Sequence, residues 1–310
     1  MEFKHIPVMP DECISGLDID PNGIYVDATL GGGGHSLLIA QKLNGGRLIC
    51  IDQDDEALQS AKIKLGAYSQ KITFVKNNFK NLYSVLETCD VKKIDGILFD
   101  IGVSSHQIDS NTRGFSYMRD MPLDMRMDKE QELTAKDVVN SLTKEEIAKI
   151  LFEYAEEANG FKIAENIVKE RQKKPISTTF ELVEIIEKAV PAYKRKAGHP
   201  AKKTFQALRI YVNGELEALK EALCKASDSL NQNGRLCVIT FHSLEDRIVK
   251  EFLNSKSKEC ICPKEFPVCV CNHKAELKII TKKPVSASCD EIFNNKRSKS
   301  AKLRIAQKLI

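Results

Sequence analysis

No uninterrupted apolar run in this 310-residue sequence approaches the roughly 20 residues that a membrane-spanning helix needs, which argues against a membrane protein. Met1 to Asp11 mixes charged residues with two prolines and lacks an apolar core, so no export signal is expected and a cytoplasmic location is. Excess charge of one sign is also missing: 47 Lys and Arg against 43 Asp and Glu leave a net +4, too little to name a partner. Internal repeats and low-complexity tracts are absent, which excludes a solenoid or a disordered array. Ten cysteines are present, but most are scattered among apolar segments of a long chain, unlike a small secreted disulfide scaffold. Cys50, Cys224 and Cys237 read as ordinary buried residues.

The composition, 42% hydrophobic and 29% charged, is that of a folded soluble chain, and its length implies two domains or one fold with an insertion. Short apolar runs alternate with amphipathic ones from Ile24 onward, the pattern of a parallel sheet flanked by helices. Strands are expected at Ile24–Asp27, Leu48–Ile51, Ile72–Val75 and Ile94–Phe99, with a helix over Asp54–Leu65. The alternation then stops. From about Asp109 to Pro200 only helical patterns occur, over Lys144–Glu157, Lys162–Gln172 and Thr179–Ala189, with cap signals at Thr143 and at Ser177-Thr178-Thr179. The sheet pattern resumes with a helix carrying Phe205, Leu208, Val212, Leu216 and Leu219, a strand at Leu236–Phe241, a helix over Glu245–Leu253 that Ser243 and Asp246 would box, and late strands at Leu277–Ile280 and Ala301–Ile305. The reading is an α/β chain: residues 1–108 and 201–310 form one Rossmann-like sheet domain, and 109–200 an all-helical insertion.

The first strand ends in Asp27 and runs through Ala28-Thr29-Leu30 into Gly31-Gly32-Gly33-Gly34-His35 before a helix begins. Four glycines let the backbone turn tightly and approach a ligand. The second strand ends in Asp52, roughly 20 residues after the turn, where a carboxylate can accept from both hydroxyls of a ribose. Together these point to an adenosine-containing cofactor. Ser36 stands where a dinucleotide fingerprint has its third glycine, and Asp27 suits a cationic cofactor, so S-adenosylmethionine is favoured over NAD. The bland alternative for both acids is helix capping. Asp100 ends the fourth strand and should face cofactor and substrate, because ligands lie beyond the carboxyl ends of parallel strands where strand order reverses. Phe79 could flank an adenine or simply belong to the core.

Asp100-Ile101-Gly102-Val103-Ser104-Ser105 is followed by Arg113-Gly114-Phe115-Ser116-Tyr117 and by Pro122-Leu123-Asp124-Met125-Arg126-Met127-Asp128. With His5-Ile6-Pro7-Val8, Thr204–Ile210 and Phe241–Arg247, this set resembles the bacterial cytosine-N4 methyltransferases of small-subunit ribosomal RNA over nearly the whole chain. The resemblance implies S-adenosylmethionine as cofactor, a cytosine in the decoding region of 16S RNA as substrate, and a helical insertion that helps recognise RNA. It also implies Gly33, Gly34, His35, Asp52, Phe79, Asp100 and Gln107 as cofactor contacts; Asp27 joins them from its position alone.

Methyl transfer to an exocyclic amine needs an acceptor to orient the N–H bonds, because the nitrogen lone pair is delocalised into the ring. Asp100 is the first choice and Ser104 or Ser105 the second. The common amino-methyltransferase signature, an acid or amide before two prolines and an aromatic, is replaced here by Gly-Val-Ser-Ser. Ring-carbon methylation would need a thiolate, generally from a Pro-Cys pair, and no such pair occurs. Phe115 and Tyr117 could stack on an extruded base or pack internally. His242, with Glu245, Asp246 and Arg247 nearby, sits at another strand's carboxyl end, as a substrate contact or as a helix cap. Lys194-Arg195-Lys196, Lys202-Lys203, Arg209 and a basic C-terminal stretch from Lys278 to Arg304 read as an RNA-phosphate surface.

Cys260-Ile261-Cys262 and Cys269-Val270-Cys271, with His273 close by, could hold a tetrahedral zinc, although Cys-x-Cys spacing is less usual than two intervening residues. Two other functions are compatible with the pattern: a non-catalytic cofactor-binding ribosome-assembly factor, and an NAD-dependent oxidoreductase disfavoured by Ser36. Monomer and homodimer are both left open, as is naked RNA against the small subunit as the partner.

Overall fold

The computed structural model describes residues 7–191, 198–260, 262, 270–271 and 273–310, apart from the side chains of Ser105 and His106. Two compact units divide the chain: residues 1–102 with 216–310, and residues 103–215.

The first unit holds a seven-stranded sheet. Its strands are β1 (Ile24–Asp27), β2 (Arg47–Asp52), β3 (Ile72–Lys76), β4 (Ile94–Asp100), β5 (Leu230–Thr240), β6 (Leu277–Ile279) and β7 (Lys302–Lys308), in the order β3-β2-β1-β4-β5-β7-β6. Five strands run parallel and β7 is antiparallel to both neighbours, the arrangement of a Rossmann-like methyltransferase sheet. Helices α1 (Pro10–Leu17), α2 (Gly34–Lys42), α3 (Asp55–Lys64) and α4 (Leu82–Thr88) precede or separate the parallel strands. The central strands are mostly apolar because both faces are covered, with acids at their carboxyl ends. Val26, Ile49, Ile51, Ile97 and Phe99 pack against Leu82, Val85, Leu219 and Leu223 on one face. Tyr25, Leu48, Cys50 and Leu98 pack against Cys13, Leu17, Ile39 and Ala40 on the other. Cys50 and Cys237 are buried as expected, whereas Cys224 is exposed. Strand order reverses where β4 pairs with β1, which places the carboxyl ends of β1 and β4 at the crevice where such sheets bind ligands.

The second unit is helical: α5 (Ser105–Asp109), α6 (Ala135–Ser141), α7 (Lys144–Ala155), α8 (Gly160–Arg171), α9 (Thr179–Ala189) and α10 (Ala201–Asn213). Among its described residues the only β-pairing is an isolated bridge between Pro122 and Thr178. Thr143 and Thr178 close capping boxes with Glu146 and Glu181, as their positions suggested. Thr134 boxes with Asp137 to start α6, a helix the sequence reading passed over.

The boundaries of the insertion are wider than the expected 109–200. The helix expected to run from Phe205 to Leu219 is two helices, broken at Gly214, whose φ of 58° places it in the left-handed region that glycine adopts without strain. Ala201, Phe205, Ala207, Leu208 and Val212 before the break pack with Ile147, Ile163, Leu182 and Ile186 of the insertion. Leu219, Leu223 and Ala226 after it, on α11 (Glu215–Ser229), pack on the sheet. The apolar stripe is continuous across the glycine, so periodicity alone hid the change of partner. The chain completes the sheet unit with α12 (Ser243–Lys256) and α13 (Cys289–Asn294).

Candidate active site

Three carboxylates stand at the carboxyl ends of β1, β2 and β4, and the fold gives each a different set of partners. Asp27 is buried, accepts from the Ser36 hydroxyl at 2.6 Å and from the Thr29 N–H at 3.2 Å. Burial lifts its pKa, and the Ser36 hydrogen bond pulls the other way. Ser36, which stands where a dinucleotide fingerprint has a glycine, uses its hydroxyl to hold this acid.

Asp52 ties the glycine turn to the second strand. Its Oδ2 accepts from the Gly31 N–H at 2.8 Å and its Oδ1 from the Asp54 N–H at 2.9 Å. A carboxylate has about four acceptor sites, so capacity for ribose hydroxyls is retained. Burial raises this carboxyl to about 6. Gly31 and Gly33 have φ of 48° and 67°, and Gly33 caps α2 in the left-handed region. A Cβ on Gly34 would sit 3.0 Å from Pro7, so the glycine turn packs closely on Pro7. His5 and Ile6 of that motif lie outside the described residues.

Asp100 is the third. Its backbone N–H donates to Thr29 Oγ1 at 2.6 Å, locking the end of β4 to the start of the glycine turn. Its Oδ2 lies 3.6 Å from Nδ1 of His35, a ring only about 5% exposed. Its Oδ1 is buried and has no hydrogen-bond partner among the described residues. Burial lifts the carboxyl to about 6; His35 lowers it, while Asp27 and Glu245 push it up. An acceptor held out of water with nothing to accept from is costly in isolation, and a ligand donor removes that cost. Gly102, two residues on, has a φ of 129°, which lets the chain leave the strand at an angle few other residues adopt.

Phe79 is half-buried with its ring edge-on to Phe99 at 5.8 Å, consistent with a wall beside the sheet's edge. His242 is the N-cap of α12: its Nδ1 faces the Glu245 N–H, and Glu245 Oε2 accepts from the N–H groups of Phe241 at 2.8 Å and His242 at 3.2 Å. The box therefore begins one residue before the expected Ser243. Asp246 pairs with Arg304 at 2.7 Å and Lys302 at 3.2 Å, which engages both cations and buries Arg304, while Lys302 stays partly exposed. Lys278, Lys282, Lys283, Lys296 and Lys299 remain exposed.

The other named residues belong to the helical unit. Ser104 and Gln107 close a reciprocal cap: the Ser104 N–H donates to Gln107 Oε1 at 3.1 Å and the Gln107 N–H to Ser104 Oγ at 3.2 Å. The Ser104 hydroxyl is thus used by the backbone, and the Ser105 side chain lies outside the described residues. Tyr117 stacks on His199 at 4.5 Å and meets Phe205 edge-on, while Phe115 sits over Arg113 at 6.0 Å. Arg113, almost wholly buried, donates to the carbonyls of Arg126 at 3.0 Å and Met127 at 2.9 Å and so shapes the loop between them. Arg209 makes a two-pronged pair with Glu215, 2.8 Å on each arm, a geometry that serves the insertion's own fold. Lys194, Arg195 and Lys196 lie outside the described residues.

The family model described as the MraW methylase family matches residues 2–309. A protein from Finegoldia magna named ribosomal RNA small subunit methyltransferase H is 54% identical, covering 100% of both chains. One of the same name from Brevibacillus brevis is 53% identical over 100% of this chain and 99% of its own. A solved rRNA methylase from Streptococcus thermophilus aligns with a TM-score of 0.43 at 11% identity, covering 97% of this chain and 94% of that one.

Proposed function

The chain belongs to the MraW methylase family and is an S-adenosylmethionine-dependent methyltransferase of small-subunit ribosomal RNA, and from that premise we propose that the group it methylates is the N4 amine of a cytosine in the decoding region. The observation that carries the reading is the buried Oδ1 of Asp100, an acceptor without a partner at the carboxyl end of β4. Gly33, Gly34, His35, Asp52 and Phe79 would hold the cofactor, with Asp27 ordering the turn through Ser36 and Thr29. The fit is chemical: three acids converge on a site for a cationic ligand, and two have pKa values near 6 that a bound cation would lower. When bound, the cofactor supplies an electrophilic methyl group.

Asp100 accepts an N–H bond of the cytosine amine through Oδ1. That bond turns the nitrogen out of conjugation and aims its lone pair along the line of attack. His35 holds Oδ2 from the other side, and Thr29 fixes the backbone, so the acceptor is set before the substrate arrives. The Ser104 hydroxyl accepts from the Gln107 N–H at 3.2 Å, which favours Asp100 over Ser104 as the orienting group. The exposed lysines of the C-terminal stretch supply phosphate contacts. A non-catalytic assembly role gives the buried Oδ1 of Asp100 no amine to accept from.

Transfer of labelled methyl from S-adenosylmethionine to small-subunit particles lacking the modification, followed by nucleoside digestion, tests the proposal. N4-methylcytidine is the expected product. Label in 5-methylcytidine, or in a purine, would overturn it.

A further inference from the structure

Cys260, Cys262 and Cys271 bring their sulfur atoms within 4.8 Å of one another, outside the candidate active site and in no role the methyltransferase reading needs. We propose that these three thiols form a zinc site that staples the segment between α12 and β6. The donor set selects the ion: sulfur ligands favour zinc or another soft ion over magnesium or calcium, which take oxygen.

Further observations favour a metal over an idle cysteine cluster. The Cys262 N–H points at Cys260 Sγ at 3.4 Å, and the Val270 N–H at Cys262 Sγ, also at 3.4 Å. Backbone donors aimed at sulfur stabilise the thiolate that a metal requires. Cys271 Sγ stands 3.7 Å from Cys260 Sγ, far beyond the roughly 2.05 Å of a disulfide, and at a separation that two ligands of one tetrahedral ion occupy. The three sulfurs leave the fourth position of a tetrahedral ion to a further ligand or water. Cys269 lies outside the described residues.

The segment is already closed at its base, where Lys256 pairs with Glu276 at 2.7 Å and the Glu276 N–H donates to the Lys256 carbonyl at 2.9 Å. A metal would close it again nearer its tip. Each thiol gives its proton to solvent on binding, and the ion's two positive charges offset most of the resulting negative charge. Val270, beside Cys271, is 67% exposed and so adds little apolar anchoring at that point.

The full chain, purified without chelator, should carry about one zinc per molecule by elemental mass spectrometry. The triple variant C260S/C262S/C271S should retain less than about a tenth of that. Cobalt added to the metal-stripped wild-type chain should give a sulfur-to-cobalt charge-transfer absorption that this variant lacks. Zinc near zero in the wild type with no cobalt absorption, or zinc unchanged in the triple variant, overturns the proposal. A wild-type mass lower by two hydrogens, restored by reductant, would also overturn it in favour of a disulfide. Methyl transfer does not enter these readouts, so they stand apart from the proposed function.

Discussion

His35 lies between Val8 and Asp100, with Nε2 at 2.8 Å from the Val8 carbonyl and Nδ1 at 3.6 Å from Asp100 Oδ2. A carbonyl only accepts, so Nε2 carries a proton and Nδ1 is the nitrogen facing the acid. Any positive charge on the ring is therefore felt by Asp100. Because burial raises Asp100 to about 6, kcat/KM should fall below about pH 6 as the acceptor becomes protonated. Replacing His35→Asn removes the influence that lowers this pKa, and the acid limb should move to higher pH. A pH–rate profile measured with both proteins checks this; an unmoved limb refutes the coupling.

The same burial makes Asp100 a cost to the cofactor-free fold. Its folded-state pKa is raised, so its contribution to stability is full below about pH 4 and is lost as pH rises through about 6. Asp100→Asn should therefore stabilise the cofactor-free protein by ~1–3 kcal/mol at pH 7.5, and the gain should vanish near pH 4. Denaturant melts at the two pH values measure it. A destabilised variant at pH 7.5 would mean that Asp100 has favourable partners in the free protein.

Ser36→Ala removes the 2.6 Å hydrogen bond to Asp27 and leaves that buried carboxylate short of a donor. A loss of ~1–3 kcal/mol is expected, with cofactor affinity falling more than the turnover at saturation, because Asp27 orders the turn rather than the reacting amine. Calorimetric titration with S-adenosylmethionine, set beside kcat, separates the two. Equal losses in both would place Asp27 nearer the chemistry.

Two glycines of the helical unit should respond differently to alanine. At Gly214 a Cβ meets nothing within 4 Å, so only the φ of 58° is strained and ~1 kcal/mol is expected. At Gly114 a Cβ would clash with the Pro122 carbonyl oxygen and lie 2.8 Å from the Asp124 nitrogen, with a φ of 71°. Backbone must move there, and ~3 kcal/mol or more is expected. Chemical denaturation of both variants compares them; similar losses would mean the loop at Pro122 yields freely.

The sheet was legible because its central strands are buried on both faces and so read as predominantly apolar runs. The glycine turn with Asp27, Asp52 and Asp100 was legible because each acid ends such a run. Hidden from the sequence were pairings that depend on the third dimension: Thr29 on Asp100, Ser36 on Asp27 and Glu215 on Arg209. A lone serine or threonine has no pattern that marks its partner. The insertion's far edge was misread for a related reason, since Gly214 interrupts a stripe whose two halves serve different cores. Arg209 and Lys302 looked like phosphate contacts by charge alone, and their acidic partners lie 6 and 56 residues away in sequence.

The most direct measurement is single-turnover methyl transfer by the Asp100→Asn variant at saturating S-adenosylmethionine, with RNA affinity measured on the same preparation. If the unpartnered Oδ1 docks the reacting amine, the rate should fall by ~10²–10⁴-fold while the RNA dissociation constant stays within about threefold. A rate within a few-fold of the wild type would contradict the assignment of Asp100 and the chemistry built on it.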